Sequence, residues 1–471
     1  MHWVFPHPSS ANHDSLSKPS STTSPNITDH AEHFQLNSSF SSRESERFNL
    51  EPQHSSACSS SSTVDGPYRP FSDLAKSIHP ILEIDFEQNT RVPLFNMLIA
   101  CAEAVEENNL HLAEIILSQI LVNSKARATQ SMAALFAEAM SSRVYRLYPQ
   151  YFDYSYLNDI QRYFYKEWSY VKAAHLTANR EIFETFAGKK HIHVIDFFIN
   201  HGTQWSDLMQ DLAARPGGPP TIRISGIGFP NHDNSDYLKS VGWKLAQLAE
   251  TLNIDFEYRG FLAYNLADLD AAMLELRTHE AIAVNAVFAL HKLLARPGDI
   301  HKLLSMVKHI EPEIFTIIEQ ESDNNDQGFS YRFNECINYF SFLLESSEGS
   351  TNCLDTYIFL RNQIHNIVVC EGEYRVERYE KLTRWRTRLE AAGFVLIHLG
   401  SNVGEYASFL SSQPATRNML QASSKCTIEE NNGCWMLGWR TRPLIAISAW
   451  RADNRILISD EDGALQKLER M

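Results

Sequence analysis

Five apolar runs of strand length, separated by stretches with helical periodicity, fill residues 191 to 321 and leave few folds open to this chain. HIHVIDFFI, TIRISGIG, DFEYRGFLA, EAIAVNAVF and EIFTIIEQE read as strands, and SDLMQDLAA, YLKSVGWKLAQLAETL and GDIHKLLSMVKHI read as helices among them. Strands joined by helices of this length build a parallel sheet covered on both faces, because a parallel crossover has to run back over the sheet. The alternation breaks near the end. Helix EKLTRWRTRLEAA leads into GFVLIHL, and CTIEE and CWMLGW flank Asn431-Asn432-Gly433, whose Asn-Gly pair favours a hairpin turn. WRTRPLIAISAW then reads as a late antiparallel strand. The expected fold class is α/β: a Rossmann-type, mainly parallel sheet with helices on both faces.

Ahead of the sheet lies a region of different character. From Arg91 the periodicity is helical, and in LFNMLIACAEAV the residues Leu94, Leu98, Ile99, Ala102 and Val105 fall on one helix face. LHLAEIILSQIL, ATQSMAALFAEAMSSRVYRLY and REIFETF continue the pattern, so residues 91-180 are expected to form a helical cap subdomain and 181-450 the α/β core. The leucine stripe has two readings, core packing or a surface for a partner helix. Residues 1-78 are Ser-rich, roughly a quarter Ser from Met1 to about Pro70, with few aliphatics to offset ordering entropy, and are expected to be disordered. Residues 451-471 form a charged C-terminal extension, expected to be disordered as well.

A net charge of -15 works against direct contact with a phosphate backbone, and the one local basic cluster, RWRTR (Arg384 to Arg388), reads as a solvated helix surface. The seven cysteines show neither zinc spacing nor disulfide density. No apolar run approaches the length of about 18 residues that a membrane helix requires. The histidines, His191, His193, His279, His291, His301 and His309 among them, read as scattered structural or surface residues without paired carboxylates, and EQESDNND (Glu319 to Asp326) reads as a solvated loop. No metal site is expected.

A parallel sheet finished by an antiparallel strand resembles the architecture of S-adenosylmethionine-dependent methyltransferases, and that reading makes two physical demands. The loop after the first strand must admit the cofactor, which takes glycines in short succession. Here Asp196 is followed by FFINHG, one glycine behind two phenylalanines and an isoleucine. An acidic residue after the second strand should hold the ribose hydroxyls, yet TIRISGIGFP offers none. No catalytic residue and no cofactor are therefore expected. Asp196 reads as a carboxylate that accepts backbone N–H groups in the turn or caps the helix near Gln204 and Trp205.

Four ordered stretches resemble the motifs of the plant GRAS proteins over about Arg91 to Trp450. HVIDF, containing His193, Val194, Ile195 and Asp196, with Gln204 and Trp205, resembles the family's VHIID motif, and Leu94 to about His175 its first leucine-rich region. EPEIFTIIEQES, FSYRFNECINYFSFLLESS and RVERYE (Arg375 to Glu380) resemble PFYRE, and Trp439 to Trp450 is similar to the terminal SAW motif. Within the family, AVNAVFALHKLLARPG and EENNGCWMLGWRTRPLIA look most like the DELLA branch.

This resemblance implies a methyltransferase-like fold used for protein contacts, in a nuclear repressor of gibberellin responses that binds transcription factors of zinc-finger or basic helix-loop-helix type. It also implies association with itself or other GRAS proteins, without an enzyme's activity, membrane contact or sequence-specific DNA binding of its own. Met1 to Arg91 carries neither the DELLA nor the TVHYNP segment, so receptor contact and hormone-triggered removal are not expected. Tyr379 stands where the branch usually has His. For partner contact the expected residues are Leu94, Leu98 and Ile99; for integrity of the fold, His193, Val194, Ile195, Asp196, Trp205, Arg378, Glu380, Trp439 and Trp450, with Arg378 and Glu380 expected to pair. A GRAS regulator of another developmental or symbiotic pathway and, from a different class, a working methyltransferase are the alternatives.

Overall fold

The computed structural model describes residues 2–4, 91–125, 132–147 and, with gaps of at most five residues, 161–453. Apart from residues 2–4, the expectation for the Ser-rich region lies outside the described residues, as does most of that for the C-terminal extension.

Every strand expected from the sequence is formed, and His2–Val4 adds one inside residues 1-78, where the sequence leads one to expect disorder. In chain order they are β1 (His2–Val4), β2 (His191–Asp196), β3 (Thr221–Gly228), β4 (Phe256–Leu262), β5 (Ala281–Val287), β6 (Ile314–Gln320), β7 (Phe394–Ile397), β8 (Cys426–Asn431), β9 (Cys434–Trp439) and β10 (Arg442–Ala452). They form one sheet in the order β1-β4-β3-β2-β5-β6-β10-β9-β8, with β7 also on β10. β2 to β6 pair in parallel with one another, and β1 runs antiparallel to β4 at the edge. β10 runs antiparallel between β6 on one side and β9 and β7 on the other. The β8–β9 hairpin turns at Asn432 and Gly433, whose φ of 49° and 87° are the left-handed pair that a two-residue hairpin demands.

The helices begin with α1 (Arg91–Glu106), α2 (Leu110–Lys125) and α3 (Met132–Val144). Pro93 sits in the first turn of α1, where a missing N–H breaks no helical bond. Asn108 ends α1 in the left-handed region at φ 58°, and the Asn109 side chain accepts the Leu112 N–H at 3.2 Å to start α2. Two asparagines thus make both the stop and the restart. Next come α4 (Ser169–Thr185), α5 (Thr203–Ala214), α6 (Tyr237–Thr251), α7 (Asp299–Ile310), α8 (Phe329–Ser347), α9 (Cys353–Val369), α10 (Leu382–Ala391), α11 (Val403–Ser412) and α12 (Pro414–Gln421).

The helical layer is not one contiguous stretch. α8 and α9, from beyond β6, pack on α1 and α3, while α4 packs on α5 and on the sheet. One cluster of buried side chains runs from Leu98 to Trp450, so the helical part and the sheet share an interior.

Candidate functional site

In an open α/β sheet, ligands sit beyond the carboxyl ends of the parallel strands. Here those ends are filled by the protein itself. Phe197, Phe198 and Ile199, directly after β2, are all buried. A Cβ on Gly226 of β3 would run into Ile199 and come within 3.0 Å of the Tyr258 hydroxyl; one on Gly228 would overlap Tyr237 and lie 2.9 Å from Leu238. The glycines of β3 make room for side chains that plug the crevice. Gly202, at φ 72°, turns the chain into α5.

Asp196 lies beneath this plug, 2 % exposed. One oxygen accepts the Phe198 N–H at 3.1 Å and the Asn285 amide at 3.3 Å; the other accepts the Trp205 indole N–H at 2.6 Å. The turn bond expected from the sequence is present. The expected helix cap is replaced by the Trp205 side chain, since Gly202 occupies the cap position. Burial pushes the Asp196 carboxyl up to about 6 against these three bonds. Asn285 extends the node to Gln204 at 3.2 Å and to the Thr316 hydroxyl at 2.7 Å, tying β2, β5, β6 and α5 together.

His193 is sealed in β2, 2.8 Å from the Ser225 hydroxyl, and burial followed by Arg223 holds it well below the usual imidazole range. Val194 and Ile195 are core residues. Trp450, fully buried in β10, donates to Ser448 at 2.9 Å; half-buried Trp439 donates to Glu345 at 3.2 Å.

A model of the GRAS domain family matches residues 94–451, three quarters of this sequence. The chain belongs to the GRAS domain family. DELLA protein GAI1 of Vitis vinifera is 49% identical over 416 residues, covering 86% of this chain and 69% of that protein. DELLA protein RGA of Arabidopsis thaliana is 50% identical over 385 residues, 80% of this chain and 64% of that protein. The chain thus spans about two thirds of the length of these curated relatives. Among solved structures, SCL7 of Oryza sativa superposes with a TM-score of 0.64 at 27% identity, over 76% of this chain and 99% of that one. Membership of this family supports a transcriptional regulator.

Three expectations change in the GRAS domain's PFYRE region. Arg378 and Glu380 do not pair with each other. Glu380, 1 % exposed, is gripped by Arg388 at 2.6 and 2.7 Å, while Arg378 donates to the carbonyls of Gly372 and Arg375 at 2.7 and 2.8 Å. The Asn325 amide stands between them, accepting from Arg378 at 2.9 Å and donating to Glu380 at 2.7 Å. Glu319 to Asn324 are buried rather than solvated, because segments from elsewhere in the chain close over them and supply partners for most of their polar groups. Glu321, for instance, donates its N–H to Leu444 and accepts from Leu382 N–H at 2.8 Å. RWRTR is solvated as expected at Arg384 and Thr387, but the expectation is narrowed elsewhere: Arg384 and Arg388 face Glu380, Arg386 reaches the Asn432 carbonyl at 3.1 Å, and Trp385 is buried.

His291 is the residue that sequence reasoning missed. It is fully buried, with Nδ1 2.8 Å from Glu319 and Nε2 3.0 Å from Glu377. Burial disfavours its charge, but the two carboxylates outweigh burial and raise its proton affinity. Lys292 and the Tyr379 hydroxyl also reach Glu377, at 3.0 and 2.9 Å. Phe288 helps aim this residue: its φ of 51°, unusual for a bulky side chain, turns the chain after β5, and Glu319 then accepts the N–H of Leu290 at 2.8 Å. The carboxylates lie 28 and 86 residues away in sequence, so no local pattern announces them.

In the leucine-rich region, Leu98 is fully buried among the helices, which closes it to a partner; Leu94 and Ile99 are half-buried and keep an outward edge. Among the described residues of the region, the exposed large apolar ones are Leu112 at 42% and Val122 at 62% on α2, and Leu147 at 63% just beyond α3. Among the described residues no three His, Cys, Asp or Glu are placed to share a metal, and no helix is long and apolar enough to cross a membrane.

Proposed function

We propose that this GRAS chain is a nuclear transcriptional co-regulator that works by docking other proteins, and that it represses gibberellin responses as its DELLA-named relatives suggest. The observation that carries the reading is the α1–α2 hairpin. On α2 the apolar Leu112 and Val122 are exposed, and on α1 Leu94 and Ile99 are half-buried, while the exposed positions of that helix are the polar Asn96, Glu103 and Glu106. A helix apolar on nearly all sides is ordinarily enclosed, so an outward apolar face supports a partner helix laid against it. Transcription factors of zinc-finger or basic helix-loop-helix type are the proposed partners, with other GRAS chains as a second class.

The plugged strand ends support the non-enzymatic half of the proposal: a cofactor would have to displace Ile199 and Tyr237 from the floor of β3. Between Met1 and Arg91 the sequence carries neither a DELLA nor a TVHYNP segment, which supports a form that gibberellin does not remove. The docking test is a pull-down of transcription factors with wild-type chain and with the double variant Leu112→Glu, Val122→Glu. Capture should fall while the melting temperature holds; undiminished capture would refute the hairpin as the docking face. Protein level after hormone treatment tests the second part, and rapid receptor-dependent loss would overturn it.

A further inference from the structure

Four arginines converge at the C-terminal end of α9. Arg143 of α3 donates to the Val368 carbonyl at 2.8 Å, and Arg332 of α8 donates to the Ile367 carbonyl at 3.2 Å. Arg375 and Arg378 follow the turn at Gly372, where Arg375 donates to Asn324 O at 2.8 Å and Arg378 to Gly372 O. Arg332 is 1 % and Arg375 3 % exposed. Arg143 and Arg332 also flank the Phe329 ring, 3.8 and 5.4 Å from its centroid.

Capping a helix C-terminus explains one bond of Arg143 and one of Arg332. It does not explain the charge. The four guanidiniums are faced by Glu371, and Arg332 also by Glu106, which leaves the cluster positive in a chain of net charge -15. The buried Arg375 Nε has no hydrogen-bond partner. Burial, then Arg332 and Arg378, push the Arg375 guanidinium down to about 9. Such groups are costly to enclose unless an anion completes them.

Glu371 shows where an anion sits. A single oxygen of its carboxylate lies 2.8 Å from Arg143 and 2.6 Å from Arg332, yet the side chain is 48 % exposed, so solvent reaches the position it occupies. A carboxylate offers two acceptor oxygens; a phosphate monoester offers three and about twice the charge.

We propose that Arg143, Arg332, Arg375 and Arg378 form a recognition site for a phosphate monoester carried on a peptide, with Glu371 as a built-in competitor that leaves when the phosphate arrives. A monoester presents a terminal dianion that can enter a narrow cluster between helices. A diester in a nucleic-acid backbone carries one charge and is flanked by sugars on both sides.

The test uses the full chain and a fluorescent peptide, Ala-Ala-phosphoserine-Ala-Ala, with its unphosphorylated twin, inorganic phosphate and a short DNA duplex as separate arms. The phosphopeptide should bind at least about tenfold tighter than its twin, as expected for charge-assisted contacts to several guanidiniums. Glu371→Gln should tighten binding roughly threefold or more by removing the competitor. Arg143→Gln and Arg378→Gln should each weaken it, read on protein with unchanged circular dichroism, and the Glu371→Gln gain keeps the idea testable if either arginine variant misfolds. Equal binding of the two peptides, or no gain in Glu371→Gln, overturns the proposal. Binding of inorganic phosphate without the phosphopeptide reassigns the cluster to small anions, and stronger competition by duplex DNA reassigns it to a diester; both also overturn it.

Discussion

The strand ends above β2 and β3 and the outward face of the α1–α2 hairpin treat apolar side chains in opposite ways. Where an α/β protein ordinarily keeps a crevice, this one has packed Phe197, Phe198, Ile199, Tyr237 and Tyr258 into it. Where a helical layer ordinarily shows charge, it leaves Leu112 and Val122 in water. The contrast teaches that the strand ends offer a ligand no crevice, while the helices carry the surface that we propose for docking. On the proposed reading the plug serves stability and the hairpin serves recognition.

The two regions should therefore separate under mutation. The largest effect is expected at the plug: Trp205→Ala removes a fully buried indole and a partner of Asp196, and should cost about 3–5 kcal/mol in urea unfolding. A loss below about 1 kcal/mol would mean that the strand ends are loosely packed and the contrast is false. Leu98→Ala should follow at about 2–4 kcal/mol, because Leu98 belongs to the interior of the helical layer and not to its surface. Asp196→Asn should cost about 2 kcal/mol by thermal or chemical unfolding, since the new NH₂ must face the N–H of Trp205 or those of Phe198 and Asn285.

A smaller effect depends on pH. Glu377 is held well below the usual carboxylate range: burial opposes this, but Lys292 and His291 outweigh it. Its contribution to stability is present above the unfolded carboxylate value and is lost as pH falls. His291 has the opposite sign: its folded-state proton affinity is raised, so its contribution is full below the unfolded imidazole value of about 6.5 and is lost as pH rises through the folded one. The melting-temperature gap between wild type and His291→Gln should be widest near pH 5–6 and shrink on either side. A gap that grows steadily toward alkaline pH would show that His291 is neutral in the folded protein. The smallest effect on stability is expected from Leu112→Glu and Val122→Glu, within about 0.5 kcal/mol each, although partner capture falls. If those substitutions unfold the chain instead, the hairpin face is interior and the comparison collapses.

Legibility in the sequence followed the range of the physics. The strands could be read because each is a run of apolar residues between turn formers, and β3 is formed by TIRISGIG with the boundaries the pattern implies. The plug could be read as well, from two phenylalanines and an isoleucine where glycines were needed. What could not be read were interactions that depend on chain segments meeting from far apart. Arg378 and Glu380 are two residues from each other, yet their partners come from Asn325, Gly372 and Arg388. The acidic character of Glu319 to Asn324 suggested solvent, but β10, Glu335 of α8 and the backbone of Tyr379 and Leu382 close over it and supply partners from far along the chain. The same holds for the helical layer, whose members α8 and α9 are separated from α1 to α3 by the whole parallel sheet.

The position of β10 has a consequence for how this protein is made. It is the last of the described strands, yet it lies inside the sheet, bonded to β6 on one side and to β9 and β7 on the other. While a ribosome is still translating upstream of Arg442, β6 has an open edge and the β8–β9 hairpin has nowhere to attach. Completion of the domain waits for the final strand to clear the exit tunnel. A stop codon or frameshift only slightly ahead of Trp450 should then leave a nascent chain for chaperones and proteases, and not a shortened regulator.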